Sequence, residues 1–299
     1  QLNSEAQTMQ AEPIALDDEP PAPWLTVDGA AFILDQPKNV PAIWGTGGDV
    51  LWPEGEGLMI LGGQGLGKTT LAGQLVRGLL GLDAEVLGYP VNGSGEVILY
   101  LAMDRPRQIA RSLARQFTEA EREMLKSRLL VRPGPPHADL AKNPELLAQM
   151  ATELGAGIII VDSVKDAAVG LSDDEVGASY NRARQYVLQA GRQICDLHHV
   201  VKRGDGSIAD AYGSTWLTSG CGSVITLTGD PGDPVVGFRH AKPSVNEVGP
   251  YRLAHNPIAG RLSIVAKADL LTLASSSPDG VTRQEAAKAM NDTDEPSGA

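Results

Sequence analysis

The stretch Gly62-Gly63-Gln64-Gly65-Leu66-Gly67-Lys68-Thr69 decides the fold. It fits the pattern G-x-x-x-x-G-K-[ST], in which glycines let the backbone curl until successive N–H groups point at phosphate oxygens. This pattern requires a strand before the loop and a helix after it. The apolar residues 57–61 predict the strand, and residues 69–80 predict the helix, whose positive dipole end faces the same phosphates. The sequence therefore predicts a phosphate-binding loop.

The side chains of the loop suggest how a nucleotide and a metal ion would be held. Lys68 can reach the β- and γ-phosphates, and the Thr69 hydroxyl can bind Mg²⁺. A carboxylate for the same ion is expected at the end of an apolar strand, and Asp162 directly follows the run 158–161. The predicted nucleotide-binding residues are Gly62, Gly63, Gln64, Gly65, Leu66, Gly67, Lys68, Thr69 and Thr70, the last as a neighbour of the site.

Strand and helix patterns alternate from residue 57 to about 265, which predicts an α/β fold with a parallel sheet flanked by helices. Val97–Ala102 reads as a second strand and 107–117 as a helix, and Val200 lies near a fourth strand. Another helix is expected to begin with Asn143 as its cap and Pro144 in its first position. After residue 220, short β-rich runs predict antiparallel hairpins on one edge of the sheet, namely 223–228, 235–238, 251–254 and 262–265.

The two ends differ in character from the centre. Residues 1–23 are acidic and rich in proline, which indicates a flexible tail or linker. Residues 24–56 predict a short helix and loops, and 266–290 predict two short helices, with Thr282 and Glu285 as a capping box. We therefore expect a core over 24–265 and a separate C-terminal segment over 266–299.

Composition excludes several classes of protein. The chain has 299 residues, of which 42% are hydrophobic and 21% charged, so it is neither collagen-like nor wholly disordered. No apolar run approaches the roughly 20 residues that cross a bilayer, and no signal segment is present, so we expect no membrane partner. The two cysteines suggest reduced thiols in a cytosolic protein. The net charge of −12 resides mostly in the two ends, so it neither supports nor excludes a nucleic-acid partner.

Further segments of the chain resemble one family. Asp162 is followed by serine, but the extra strand Val97–Ala102 ends at Met103-Asp104, an arrangement found in RecA-like ATPases. The run Leu-Tyr-Leu-Ala-Met-Asp-Arg-Pro at 99–106, Asp-Leu-His-His-Val-Val-Lys at 196–202 and Gly-Ser-Thr at 213–215 resemble the RepA-like branch of hexameric replicative helicases, related to the DnaB type. So do Ala-Lys at 241–242 and 248–254. The resemblance covers about residues 45–265.

This resemblance implies a RecA-like P-loop NTPase core that uses ATP and Mg²⁺ as an ATP-dependent DNA helicase. It implies single-stranded DNA as a partner, a homo-oligomer that forms a hexameric ring, a primase or a loader, and the cytoplasm of a bacterial host carrying phages or mobile elements. Two alternatives stay open. One is a RecA-like recombinase or recombination mediator, and the other is a nucleotide-switched helicase loader or assembly factor.

Residue roles inside one subunit follow from the same resemblance. Lys68, Thr69 and Asp162 take the nucleotide and metal roles. His199 matches a polar sensor of the γ-phosphate, with a core histidine as the alternative. The family's catalytic glutamate aligns with Met103, which has no acid function, so the neighbouring Asp104 is the candidate replacement.

Other roles would be played across subunits. Lys242 matches a lysine that reaches the neighbouring subunit's γ-phosphate. The arginine that usually follows aligns with Ser244, so Arg239 is the candidate substitute, with a solvated strand-end charge as the alternative.

Basic residues provide the candidates for contact with DNA. The resemblance assigns DNA contact to loops near 163–178 and 202–212, which hold Lys165, Lys202 and Arg203; such loops follow phosphates without reading sequence. Each alone can equally be a solvated charge. Arg107, Arg111 and Arg115 share one helix face, either as a basic stripe or as a solvated face answered by Glu119 and Glu121. The 266–299 segment resembles the first part of a winged-helix module.

Overall fold

The computed structural model describes residues 26–93, 95–201 and 207–265, together with Thr282. The chain divides into two units, Gln1–Lys38 and Asn39–Ala299. The described part of the first unit contains the helix α1 (Gly29–Leu34), which Asp28 caps by accepting a hydrogen bond from the Ala31 N–H at 2.9 Å. The tail at 1–23, Lys202, Arg203 and the helices expected over 266–290 lie outside the described residues.

The second unit is built on a nine-stranded sheet with the order β13-β12-β11-β10-β3-β9-β8-β6-β7. Two short hairpins, β1-β2 and β4-β5, accompany it. The strands are β1 (Ala42–Thr46), β2 (Asp49–Pro53), β3 (Leu58–Gly62), β4 (Glu85–Val86), β5 (Tyr89–Pro90), β6 (Val97–Ala102), β7 (Leu129–Pro133), β8 (Ala156–Asp162), β9 (Gln193–His199), β10 (Ser223–Thr228), β11 (Val235–Lys242), β12 (Tyr251–Asn256) and β13 (Arg261–Ile264).

Helices cover both faces of this sheet. They are α2 (Lys68–Leu79), α3 (Pro106–Leu113), α4 (Arg122–Arg128), α5 (Leu146–Glu153), α6 (Val164–Ala167), α7 (Asp174–Gln189) and α8 (Trp216–Ser219). Side chains of one strand alternate between the faces. In β3, Leu58 and Ile60 join the core under α2 and α3, whereas Met59 and Leu61 join the core under α5 and α7. Strands buried on both faces explain the uninterrupted apolar runs of β3 and β8.

The predicted fold class is confirmed. The strands β10, β3, β9, β8, β6 and β7 are mutually parallel, and β11, β12 and β13 extend the sheet in antiparallel order. The strand Val97–Ala102 has the predicted bounds. No helix in the described part of the chain is both long enough and apolar enough to cross a bilayer.

The run Ser223–Thr228 forms β10, which pairs with β11 as the antiparallel hairpin expected after residue 220, and which also pairs in parallel with β3. Two local expectations are wrong. The helix expected at Asn143 begins at Leu146, since the Asn143 amide donates to the Asp139 carbonyl at 3.1 Å instead of capping. The loops expected over 24–56 include the β1-β2 hairpin, whose Trp44 and Trp52 are fully buried.

A buried ion pair lies behind the central strands. The Arg184 guanidinium of α7 donates from Nη2 to Asp196 Oδ2 of β9 at 2.6 Å, and neither side chain is exposed. The Tyr180 hydroxyl donates to the other Asp196 oxygen at 3.0 Å, and Asn181 accepts from Arg184 at 2.9 Å. Each polar group in this cluster has a partner, which offsets the cost of burying two charges.

Candidate nucleotide site

The phosphate-binding loop connects β3 to α2, as the motif predicts. Gly65 and Gly67 have φ values of 84° and 96°, which side chains with a Cβ rarely adopt. A Cβ on Gly67 would also lie 2.7 Å from Nε2 of His255. The helix begins at Lys68, with Gly67 as its N-cap, so its first N–H groups open toward the loop.

Lys68 is held by its own loop. Its ammonium donates to the carbonyl oxygens of Gly62 and Gly63 at 2.7 and 2.8 Å. Burial lowers the pKa of Lys68 from 10.5 to about 8, although the nearby Asp162 carboxylate opposes the shift. The buried charge of Lys68 is only partly offset by Asp162, so the ammonium is suited to bind an anionic phosphate.

Thr69 and Asp162 meet at the other side of the loop. The Thr69 hydroxyl donates to Asp162 Oδ2 at 2.9 Å, and the Tyr100 hydroxyl of β6 donates to the same oxygen at 2.8 Å. Burial raises the pKa of the Asp162 carboxyl, while the bonds from Tyr100 and Thr69 oppose the increase. A hydroxyl beside a carboxylate is the oxygen donor set that Mg²⁺ takes when phosphates and water complete its shell, so the residues fit this ion.

Sequence reasoning missed Tyr100. The signal was present, because a tyrosine inside an otherwise aliphatic strand needs a partner for its hydroxyl. Here that partner is the carboxylate of Asp162, the predicted metal ligand.

The acid proposed for water activation lies at the mouth of the cavity. Met103, at the family's glutamate position, is buried, and its N–H donates to the Asp162 carbonyl at 2.8 Å. Asp104 lines the cavity with its carboxylate partly exposed. The structure thus brings Asp104 to the same cavity as Lys68 and Asp162. Its role as the base stays a prediction.

His199 ends β9, directly beside Gly62 of β3 in the sheet. Its side chain lines the cavity. Burial, aided by the charge of Lys68, lowers the pKa of His199 to about 4, so the ring is neutral at pH 7. A neutral imidazole keeps one N–H group, so His199 could donate a hydrogen bond to a phosphate oxygen.

One wall of the cavity comes from α3 and was not predicted. The cavity holds about 250 Å³, and α3 contributes Gln108, Ile109, Ser112 and, just beyond its end, Arg115. All three arginines of the basic stripe are exposed, but only Arg115 among them lines the cavity.

The two glutamates that were expected to neutralise the basic stripe form ion pairs with other arginines instead. Glu119 binds Arg122, and Glu121 binds Arg77 at 3.0 Å.

His255 of β12 also lines the cavity, next to Gly67. Its Nε2 is buried without a hydrogen-bond partner, and burial lowers its pKa. Nothing near the motif in the sequence indicates this contact, because it depends on how the last strands pack.

The residues expected to act across subunits do not line the cavity. The Lys242 ammonium donates to the carbonyls of Ser219 and Cys221 at 2.8 and 2.6 Å, where it closes the C-terminal end of α8. Arg239 is 60% exposed and lies 3.9 Å from a Glu247 oxygen. The structure therefore gives Lys242 a local structural partner and leaves the Arg239 guanidinium exposed at the surface.

Lys165 lies three residues after Asp162, in α6. It lines a second groove of about 840 Å³ on the other side of the loop. Gln64 and His199 line both spaces, so they form the wall between the nucleotide cavity and this groove.

Comparison with known proteins agrees with this geometry. Residues 19–205 match the AAA_25 family, described as an AAA domain. No curated protein sequence matches the chain. Among solved structures, the KaiC-like protein PH0186 from the hyperthermophilic archaeon Pyrococcus horikoshii OT3 superimposes with a TM-score of 0.51 at 13% identity, over 72% of this chain and 91% of that one. At that identity the likeness shows the fold alone. Taken with the loop and Asp162, the family match identifies the chain as a member of the AAA domain family.

Proposed function

We propose that this ATPase is a translocase on single-stranded DNA that opens duplexes as a head-to-tail ring of identical subunits, six in number. The observation that carries the proposal is the course of two strands. β8 ends at Asp162 and β9 ends at His199, both in the nucleotide cavity. The segments proposed to hold DNA continue from these same strand ends. A change at the γ-phosphate would therefore move DNA contacts only a few residues away.

Within the proposed cycle, each residue has a defined task. Lys68 and the loop amides would hold the β- and γ-phosphates, and Thr69 and Asp162 would hold Mg²⁺. When bound, the ion would supply positive charge to the phosphate oxygens. Asp104 orients the attacking water and accepts its proton. His199 donates to the γ-phosphate when it is present and loses this contact after hydrolysis.

The proposed DNA contact is electrostatic. Lys165 faces the groove beside the loop, and Lys202 and Arg203 are proposed from the sequence alone. Cations on such loops follow the phosphate backbone, so binding should weaken as salt increases. Tyr212, which lines the same groove, and Trp216 are each about half exposed and offer stacking surfaces for bases.

The proposed ring requires a charge from the neighbouring subunit. Because Lys242 is engaged by carbonyls of its own chain, the exposed Arg239 is the better candidate for this cation. Identical subunits packed head to tail form a closed ring when the rotation between neighbours adds up to one full turn.

ATP turnover with and without single-stranded DNA tests the proposal. We expect DNA to stimulate turnover, and Lys165→Ala to reduce both this stimulation and the salt dependence of DNA binding. Lys126→Ala is the matched control, because Lys126 is an exposed lysine on α4. If DNA neither binds nor stimulates turnover at low salt, the translocase proposal is wrong. Rings seen by negative-stain imaging, rather than filaments, would separate it from the recombinase alternative.

One observation favours the alternative of a nucleotide-switched loader or assembly factor. Met103 replaces the acid of the family pattern, and Asp104 is paired with Arg105 at 3.2 Å. Nucleotide-dependent binding to a helicase or primase, with turnover far slower than translocation requires, would support that function instead.

A further inference from the structure

The guanidinium of Arg105 lies in the nucleotide cavity but has no task in the cycle above. Arg105 is the N-cap residue of α3, where the chain turns from β6 into the helix. Its Nε lies 3.2 Å from Oδ2 of Asp104. In the orientation that satisfies its hydrogen bonds, the Gln64 amide oxygen accepts from both terminal nitrogens of Arg105, at 3.0 and 3.2 Å. The side chain is therefore anchored to the phosphate-binding loop itself.

Arg105 lines the same cavity as Lys68, the cation assigned to the β- and γ-phosphates, and as Gln64. The Lys68 ammonium rests on the carbonyls of Gly62 and Gly63, and Gln64 is the next residue of the loop. A γ-phosphate that takes Lys68 from these carbonyls would therefore lie beside Gln64 and its partner Arg105.

We infer that Arg105 is a cation that the same subunit supplies to the γ-phosphate, held by Asp104 and Gln64 until the nucleotide arrives. The Asp104–Arg105 pair is weak, because the two side chains are 41% and 49% exposed and water screens them. A γ-phosphate carries more charge, and its oxygens match the fork of a guanidinium. Arg105 should therefore exchange its present partners for phosphate oxygens.

This exchange would also prepare the base. While Arg105 holds Asp104, the carboxylate is engaged; when Arg105 turns to the phosphate, Asp104 is free to face the water. The water oxygen then bonds to the γ-phosphorus while the bond to the β–γ bridging oxygen breaks. ADP leaves with that electron pair, and the water proton passes to Asp104. Arg105 stabilises the charge on the transferring phosphoryl oxygens.

The test compares Arg105→Ala with Arg122→Ala, which removes an exposed arginine from a surface ion pair outside the cavity. Equilibrium binding of fluorescent ATP and ADP analogues is measured together with steady-state turnover. For Arg105→Ala we expect the preference for ATP over ADP to fall about tenfold or more, with ADP affinity unchanged, and kcat to fall about 100-fold. Arg105→Lys should recover part of the binding preference, and Arg122→Ala should behave as wild type.

The binding measurement does not depend on DNA, so the inference can succeed even if the translocase proposal fails. It rests only on the ATPase site. If Arg105→Ala keeps its preference for ATP and turns over within about threefold of wild type, the inference is overturned.

Mixing subunits separates action within a subunit from action across an interface. Lys68→Ala and Arg105→Ala damage the same site if Arg105 serves its own subunit, so their mixture should show no recovery of turnover. Recovery in the mixture would mean that Arg105 serves the neighbouring site, and the inference would be wrong.

Discussion

Replacing Lys68 by methionine should destroy ATP turnover and yet stabilise the nucleotide-free fold. Methionine has nearly the volume of the lysine stem but carries no charge. A pKa of about 8, against 10.5 for an ordinary lysine, is equivalent to about 3 kcal/mol against the protonated side chain in the folded state. The substitution also removes two hydrogen bonds to carbonyls, together about 1–2 kcal/mol. We therefore expect a net stabilisation of about 1–2 kcal/mol at pH 7.

The dependence on pH gives this prediction a sign that can be checked. Between pH 8 and 10.5 the folded state has released the Lys68 proton while the unfolded state retains it. The unfolded state then binds more protons, so the stability of wild type rises with pH in this window. The stability advantage of Lys68→Met should therefore shrink by about 1.5 kcal/mol between pH 8 and 9.5.

Urea unfolding at pH 7 and pH 9.5 measures both effects. With a slope of about 3 kcal/mol per molar urea, a gain of 1.5 kcal/mol moves the midpoint by about 0.5 M. Lys126→Met, which changes an exposed lysine, should leave the midpoint unmoved at both pH values. If Lys68→Met is less stable than wild type at pH 7 and the gap does not depend on pH, burial of the charge is not costly and the reasoning is refuted.

Three further predictions concern other parts of the molecule. Asp104→Asn should lower turnover at least tenfold while ATP affinity changes less than threefold; near-normal turnover would make Asp104 structural. Mixing Lys68→Ala with Arg239→Ala subunits should restore turnover that neither variant shows alone, and exchange without recovery would exclude Arg239 as the cation supplied across subunits. Asp196→Ala should destabilise the fold by about 3–5 kcal/mol in urea unfolding, because it leaves the Arg184 charge buried and unpaired; a loss below 1 kcal/mol would contradict this.

The nucleotide loop and the sheet could be predicted because their signals are local. A tight loop requires the glycines of 62–67, and a buried strand requires the apolar runs of β3 and β8. Neither requirement depends on residues distant in the sequence. Asp162 could be placed for the same reason, since the end of a buried strand leads to a known edge of the sheet.

The walls of the cavity could not be predicted, because they depend on packing between distant segments. His255 reaches Gly67 only after β12 has joined the sheet, and Arg115 lines the cavity from just beyond the end of α3. The capping contacts of Lys242 likewise depend on where α8 ends. The sequence match of Lys242 to a family lysine carried no information about its bonds to the carbonyls of Ser219 and Cys221.

The position of β3 in the sheet has a consequence for how the protein acquires its activity. β3 ends at residue 62, but its two neighbours are β9, which begins at residue 193, and β10, which ends at residue 228. During synthesis, the strand that carries the phosphate-binding loop must wait for both neighbours before it is enclosed. Pairings so distant in sequence make folding slow and leave apolar strands exposed in the meantime. A nascent chain that stops short of Thr228 would contain every residue of the nucleotide motif without the strand that encloses it.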